Sequence, residues 1–202
     1  TTPTAPFVFA SVSCVDASGA TVGTVTGSQV TLSGLTAGSE IICTYVNKVR
    51  PTIKLRKVST NATGTFNFSS SIFPSSPVAI TTTTAGTPAT PAGDPTYTVA
   101  PDQAVTITKA IPPNWTLAGV QCVNTDSNSV EPTSFTAGGQ LTIPATTLVG
   151  GADLVCTFTD TRNARTLTVT KATVPTTDAG QFQMNANGTV GVVGGNGVQA
   201  SA

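Results

Sequence analysis

The chain has 202 residues, nine Lys and Arg against nine Asp and Glu, and only 9% charged residues, where a soluble domain usually has about 25%. Without clustered positive charge it offers no field to nucleic acid or to an anionic membrane surface, and no apolar run approaches the roughly 20 residues of a membrane span. Histidine is absent, which removes the commonest general base and the commonest metal ligand; no enzyme activity, metal or cofactor is expected.

In chain order, segments rich in Thr, Val, Ile or aromatics with period-two alternation predict strands at 7–15, 29–32, 41–46, 52–58, 65–69, 96–99, 104–108, 116–123, 140–143, 154–159, 166–173 and 181–185. Glycine-bearing turns at 16–19, 35–38, 137–139 and 149–151 separate several of them. Strand spacing near ten residues indicates an all-β sandwich. Thr81 to Pro95 is Thr- and Pro-rich and uncharged up to Asp94, so it is expected to be an exposed insertion. The Gly-rich stretch 188–198 alternates small and β-branched residues and suits a strand donated between others.

The sequence repeats. Leu35, Gly38, Ile42, Cys43, Thr44, Tyr45 and Asn47 align without a gap with Leu148, Gly151, Val155, Cys156, Thr157, Phe158 and Asp160. Phe7, Phe9, Val12 and Cys14 align with Trp115, Leu117, Val120 and Cys122, and Ile53, Leu55 and Lys57 align with Leu167, Val169 and Lys171. One complete unit therefore spans 51–163, with the second half of a unit at 1–50 before it and the first half of another at 164–202 after it. A half sandwich cannot close its core, and its open edges attract another chain. Two readings follow: a window of a longer tandem array, or a subunit whose 164–202 segment completes residues 1–50 of its neighbour. In the second, the head-to-tail contact does not close on itself and builds an open filament.

Cys14 and Cys43 are 29 residues apart, and Cys122 and Cys156 are 34 apart. These spacings are too wide for a metal knuckle, and their similarity predicts two like disulfides and an oxidising, extracellular setting. Period-two alternation places Lys57 on one face with Ile53 and Leu55, and Asp160 on one face with Leu154, Cys156 and Phe158. An isolated buried charge is very costly, so two inward polar groups at matching places call for partners, and each can serve the other.

An opening strand with inward Lys57, then Gly64-x-Phe66, then Pro112-Pro-Asn-Trp115 running into Cys122, and finally Cys156-Thr-Phe-Thr-Asp160 together resemble the prealbumin-like, Cna protein B-type (SpaA-like) repeat domains of bacterial surface proteins and pili. The resemblance implies tandem prealbumin-like, Ig-like β-sandwiches and a structural role in a pilus shaft, filament or stalk, with copies of the same chain as partners. It also implies an isopeptide bond between a first-strand Lys and a last-strand Asp or Asn, assisted by a buried acid. By position the candidates are Lys57 with Asp160, and Lys171 with Asn47. This chain departs from the pattern where the helper acid usually stands: the residue there is Lys109, and neither Glu40 nor Glu131 falls in an obvious core phase. A different class of function, an adhesin or ligand-binding surface module, would use the 81–95 loop as its contact site.

Overall fold

A computed structural model describes residues 3–165 and, beyond them, 167–170, 172, 174, 176, 177, 180, 182–186, 189–194 and 199–201. No helix occurs among these residues, and the chain divides into two compact units, Thr1–Arg162 and Asn163–Ala202.

The first unit begins with β1 (Phe7–Asp16), β2 (Thr24–Thr26), β3 (Gln29–Thr31) and β4 (Ile41–Val49); β1 pairs antiparallel with β4, and β2 with β3. A sandwich follows, made of β5 (Thr52–Thr60), β6 (Thr65–Ser69), β7 (Val78–Thr81), β8 (Tyr97–Thr98), β9 (Val105–Lys109), β10 (Trp115–Asn124), β11 (Ser129–Val130), β12 (Ser134–Phe135), β13 (Gln140–Ile143) and β14 (Asp153–Arg162). One five-stranded sheet runs β11-β10-β14-β5-β8 and the other β12-β13-β9-β6-β7. Side chains alternate strictly on the strands that matter most. Ile53, Leu55, Lys57 and Ser59 of β5 point inward, as do Phe66 and Phe68 of β6, Val105, Ile107 and Lys109 of β9, and Leu154, Cys156, Phe158 and Asp160 of β14. Phe68 meets Phe158 edge to face at 5.1 Å, and Phe66 meets Trp115 at 5.0 Å, both within the range in which aromatic pairs attract. A side chain at Gly64 would press on Trp115 at this point.

β5, the first strand of the sandwich, and β14, the last, lie side by side and parallel, with Lys57 opposite Phe158 and Ser59 opposite Asp160. The other flank of β5 is covered by the insertion that the sequence places in solvent. Most residues of 81–95 are exposed, but Ala89 exchanges two 2.8 Å backbone hydrogen bonds with Lys57, Gly86 N–H donates to the Ser59 carbonyl, and Thr82 is buried. Arg56 grips Asp94 through both terminal guanidinium nitrogens. The segment is thus docked along its spine because it satisfies an edge that β8 is too short to cover.

The β1–β4 hairpin reproduces the β10–β14 pairing. Phe7 lies opposite Val49, Phe9 opposite Asn47 and Cys14 opposite Cys43, just as Trp115 faces Arg162, Leu117 faces Asp160 and Cys122 faces Cys156, and both hairpins slip register one step after Phe9 or Leu117. The two differ in cover. Trp115 and Phe158 are buried in the sandwich, whereas Phe7 is 46% exposed and Tyr45 39%. Phe7, which opens its strand as Trp115 does and so reads as a core anchor, is not one: its pleat is right, but among the described residues of this unit no second sheet lies over it.

In the second unit, β15 (Thr168–Thr170) pairs antiparallel with β18 (Gln199–Ser201), and β16 (Phe182–Ala186) with β17 (Thr189–Gly194). The described part of the Gly-rich stretch is therefore hydrogen bonded within its own unit.

Candidate functional site: a buried lysine–aspartate–lysine cluster

Lys57, Lys109 and Asp160 sit at the end of the sandwich core, each with no solvent exposure. Their placement follows from the pleat. Lys57 and Asp160 continue the inward rows of β5 and β14, two adjacent strands of one sheet, while Lys109 ends the inward row of β9 in the opposite sheet. Lys57 Nζ lies 2.8 Å from Asp160 Oδ2, and Lys109 Nζ lies 2.9 Å from Oδ1. Among the described residues the two carboxylate oxygens have no other polar partner.

Each amine also donates to nearby backbone. Lys57 Nζ donates to the Val58 carbonyl and, at 3.4 Å, to that of Phe158; Lys109 Nζ donates to the Ala110 carbonyl at 3.1 Å. The Phe66 ring floors the cluster, 4.1 Å from Lys57 Nζ and 5.1 Å from Lys109 Nζ, a position in which its negative face attracts a cation. Beyond Lys57 on β5, Ser59 Oγ donates to Thr82 Oγ1 at 2.7 Å, which sets the docked insertion against this end of the core.

Two ammonium groups and one carboxylate would leave a net positive charge wholly out of water, which is very costly. Burial pushes both lysines below the ordinary lysine range, Asp160 pulls each partly back, and the Lys109 charge lowers Lys57 further. Electroneutrality is reached when one amine is uncharged. The site therefore holds an amine, a carboxyl carbon and a second cation within contact distance in a dry pocket, which are the ingredients of an amide bond.

One glycine keeps Lys109 in place. Gly139, at φ +93°, accepts the Lys109 N–H at 2.8 Å, and a Cβ there would run into the Lys109 carbonyl oxygen. Only glycine adopts this backbone without strain and admits so close an approach.

Of the pairs suggested by the sequence, Lys57 and Asp160 meet. Asn47 occupies the β4 position equivalent to Asp160 and is exposed, and Lys171 lies outside the described residues. Lys109 is the member that the sequence reading left out of the core. The strand predicted at 104–108 stops one residue short of it, although the alternation Val105, Ile107, Lys109 runs one step further and is the signal that finds it.

Both expected disulfides are formed, Cys14–Cys43 and Cys122–Cys156, and no described cysteine is free. The second links β10 to β14 two pleats from Asp160 on the same inward row, and its two cysteines are fully buried.

No curated protein and no solved structure matches the chain. The prealbumin-like fold domain of the SpaA-like group does, over residues 53–162, which is more than half of the chain and coincides with the sandwich from β5 to β14. With the Lys57 strand first, the Asp160 strand last and the two sheets between them, the chain belongs to the SpaA-like prealbumin-fold family.

Proposed function

We propose that the protein is a structural subunit of an extracellular filament, pilus or surface stalk, assembled head to tail. In this reading the 164–202 segment of one copy supplies the strands that the β1–β4 hairpin of the next copy lacks. The observation that carries it is the contrast between two hairpins of the same register. In β10–β14 the inward aromatic Phe158 is fully covered by β5 and the opposite sheet, while its counterpart Tyr45 in β1–β4 remains 39% exposed beside an exposed Asn47. A hairpin with an apolar face and an open β4 edge is the acceptor that strand addition requires. The segment with sequence kinship to the β5 strand, around Leu167, Val169 and Lys171, is the donor in this arrangement.

Within the sandwich, Lys57 and Asp160 are proposed to condense to an isopeptide, and the two disulfides suit an oxidising, extracellular location. Lys171 with Asn47 would make the corresponding bond between copies. The assembly test uses the whole chain. Negative-stain electron microscopy and sedimentation over a range of concentrations should show linear polymers, and deletion of residues 164–202 should leave monomers with an intact sandwich. A whole chain that stays monomeric at every concentration refutes head-to-tail assembly.

A further inference from the structure

We propose that Lys109 is a catalytic residue of the Lys57–Asp160 condensation, holding the carboxyl oxygen that stays while Lys57 displaces the one that leaves. This inference rests on the isopeptide reading above and goes beyond it, because a lysine now does the work for which such a site would otherwise need an acid.

The geometry divides the two oxygens of Asp160 between the two amines. Oδ2 faces Lys57 at 2.8 Å and Oδ1 faces Lys109 at 2.9 Å. Two of the Lys57 N–H bonds point to the Val58 and Phe158 carbonyls, which is the full donor complement of a neutral amine. The third position, facing Asp160, is then free to give its proton to Oδ2 and to present a lone pair to the carboxyl carbon. Burial favours that transfer, because it turns a buried ammonium and carboxylate into two neutral groups.

In the step itself the Lys57 nitrogen forms a bond to Asp160 Cγ and the Cγ–Oδ2 bond breaks. Oδ2 leaves with its own proton and one from the attacking nitrogen, as water. Oδ1 carries the negative charge of the tetrahedral intermediate and ends as the amide carbonyl oxygen. The Lys109 ammonium keeps its proton and its charge throughout. It sits already at Oδ1, anchored by the Ala110 carbonyl and the Phe66 face, so it stabilises the developing charge without reorganising, in the manner of an oxyanion hole. The ammonium comes from β9 of the opposite sheet, so it reaches Oδ1 without standing in the path of Lys57.

The test is intact-mass spectrometry of the refolded whole chain after reduction of both disulfides, with peptide mapping of any cross-link. Wild type should lack the mass of one water, with Lys57 and Asp160 joined. In Lys109→Met, condensation should be slowed by about 10²- to 10³-fold, the usual loss when one oxyanion donor is removed, while the chain still melts cooperatively. A Lys109→Met chain that condenses as fast as wild type overturns the role of Lys109 and leaves the isopeptide standing. A wild-type chain of full mass overturns the isopeptide, and this inference with it. Should Lys109→Met fail to fold, Lys109→Gln, a neutral donor of similar length, takes its place with the same two readings, slowed condensation supporting the role of the cation and wild-type speed overturning it; a wild-type cross-link through Lys109 in place of Lys57 refutes the proposal in either case.

Discussion

Replacing Asp160 by alanine removes the one counter-charge that the two buried lysines share. The carboxylate is within 3 Å of both ammonium nitrogens, and all three side chains are fully buried. Breaking a buried ion pair from one side costs about 3–5 kcal/mol, which for a domain of this size lowers Tm by on the order of 10–20 °C. The loss of a cross-link would also lower Tm, so the pH dependence is the informative readout. In Asp160→Ala the lysines can remain buried only by shedding protons that they hold in the unfolded chain. Their folded pKa values, already depressed by burial, fall further without the carboxylate. Between that depressed value and the ordinary 10.5 the unfolded chain binds more protons, so stability rises with pH, by about 1.4 kcal/mol per unit for each lysine kept neutral. Urea denaturation at a series of pH values checks this. The variant should be markedly weaker near neutrality and recover as the pH climbs toward 10.5. A loss that is the same across that window, or one below about 0.5 kcal/mol, as for an ordinary surface change, would refute the account of the stranded charges.

Removing the Cys122–Cys156 bridge with paired serines frees a loop with a sequence separation of 34 and should cost about 3–4 kcal/mol by loop entropy, read as a shift in the urea midpoint. Gly139→Ala should destabilise by more than about 1 kcal/mol, since it forces a side chain onto a positive-φ position and against the Lys109 carbonyl; its isopeptide yield by intact mass should drop with it. Tyr45→Asp, which puts a charge on the open face of the β1–β4 hairpin, should leave the melting of the sandwich unchanged and abolish polymers in sedimentation. Polymerisation at wild-type concentration would argue against that face as the acceptor.

Much of the fold was readable because each side chain has one job. Along β5 and β14 the inward row is apolar from Ile53 to Leu55 and from Leu154 to Phe158, which fixes the pleat despite outward Val58 and Val155, and the inward Lys57 and Asp160 break that apolar row at matching places. The cysteines were legible for the same reason, because they lie opposite one another in both hairpins. What failed depends on cover supplied from elsewhere. Phe7 has the same neighbours along the chain as a core aromatic, and only the missing second sheet makes it a surface residue. Val78–Thr81 is short and follows Ser75, Ser76 and Pro77, so local pattern alone does not separate it from a loop. The 81–95 segment carries loop composition, yet the unsatisfied edge of β5 draws Ala89 into pairing. Lys109 lies one residue past the strand predicted at 104–108, so its place on the inward row of Val105 and Ile107 was not read.

Parallel pairing of β5 with β14 has a mechanical consequence. Thr52, where the backbone comes in, and Arg162, where it goes out, lie at opposite poles of two adjacent strands, so a pull along a fibre slides one against the other. Every rung of that ladder then shares the tension at once, instead of opening one after another like a zip. A covalent rung between Lys57 and Asp160 would carry the strain straight across from one strand to the other, and everything folded between those two positions would hang slack beside the taut line.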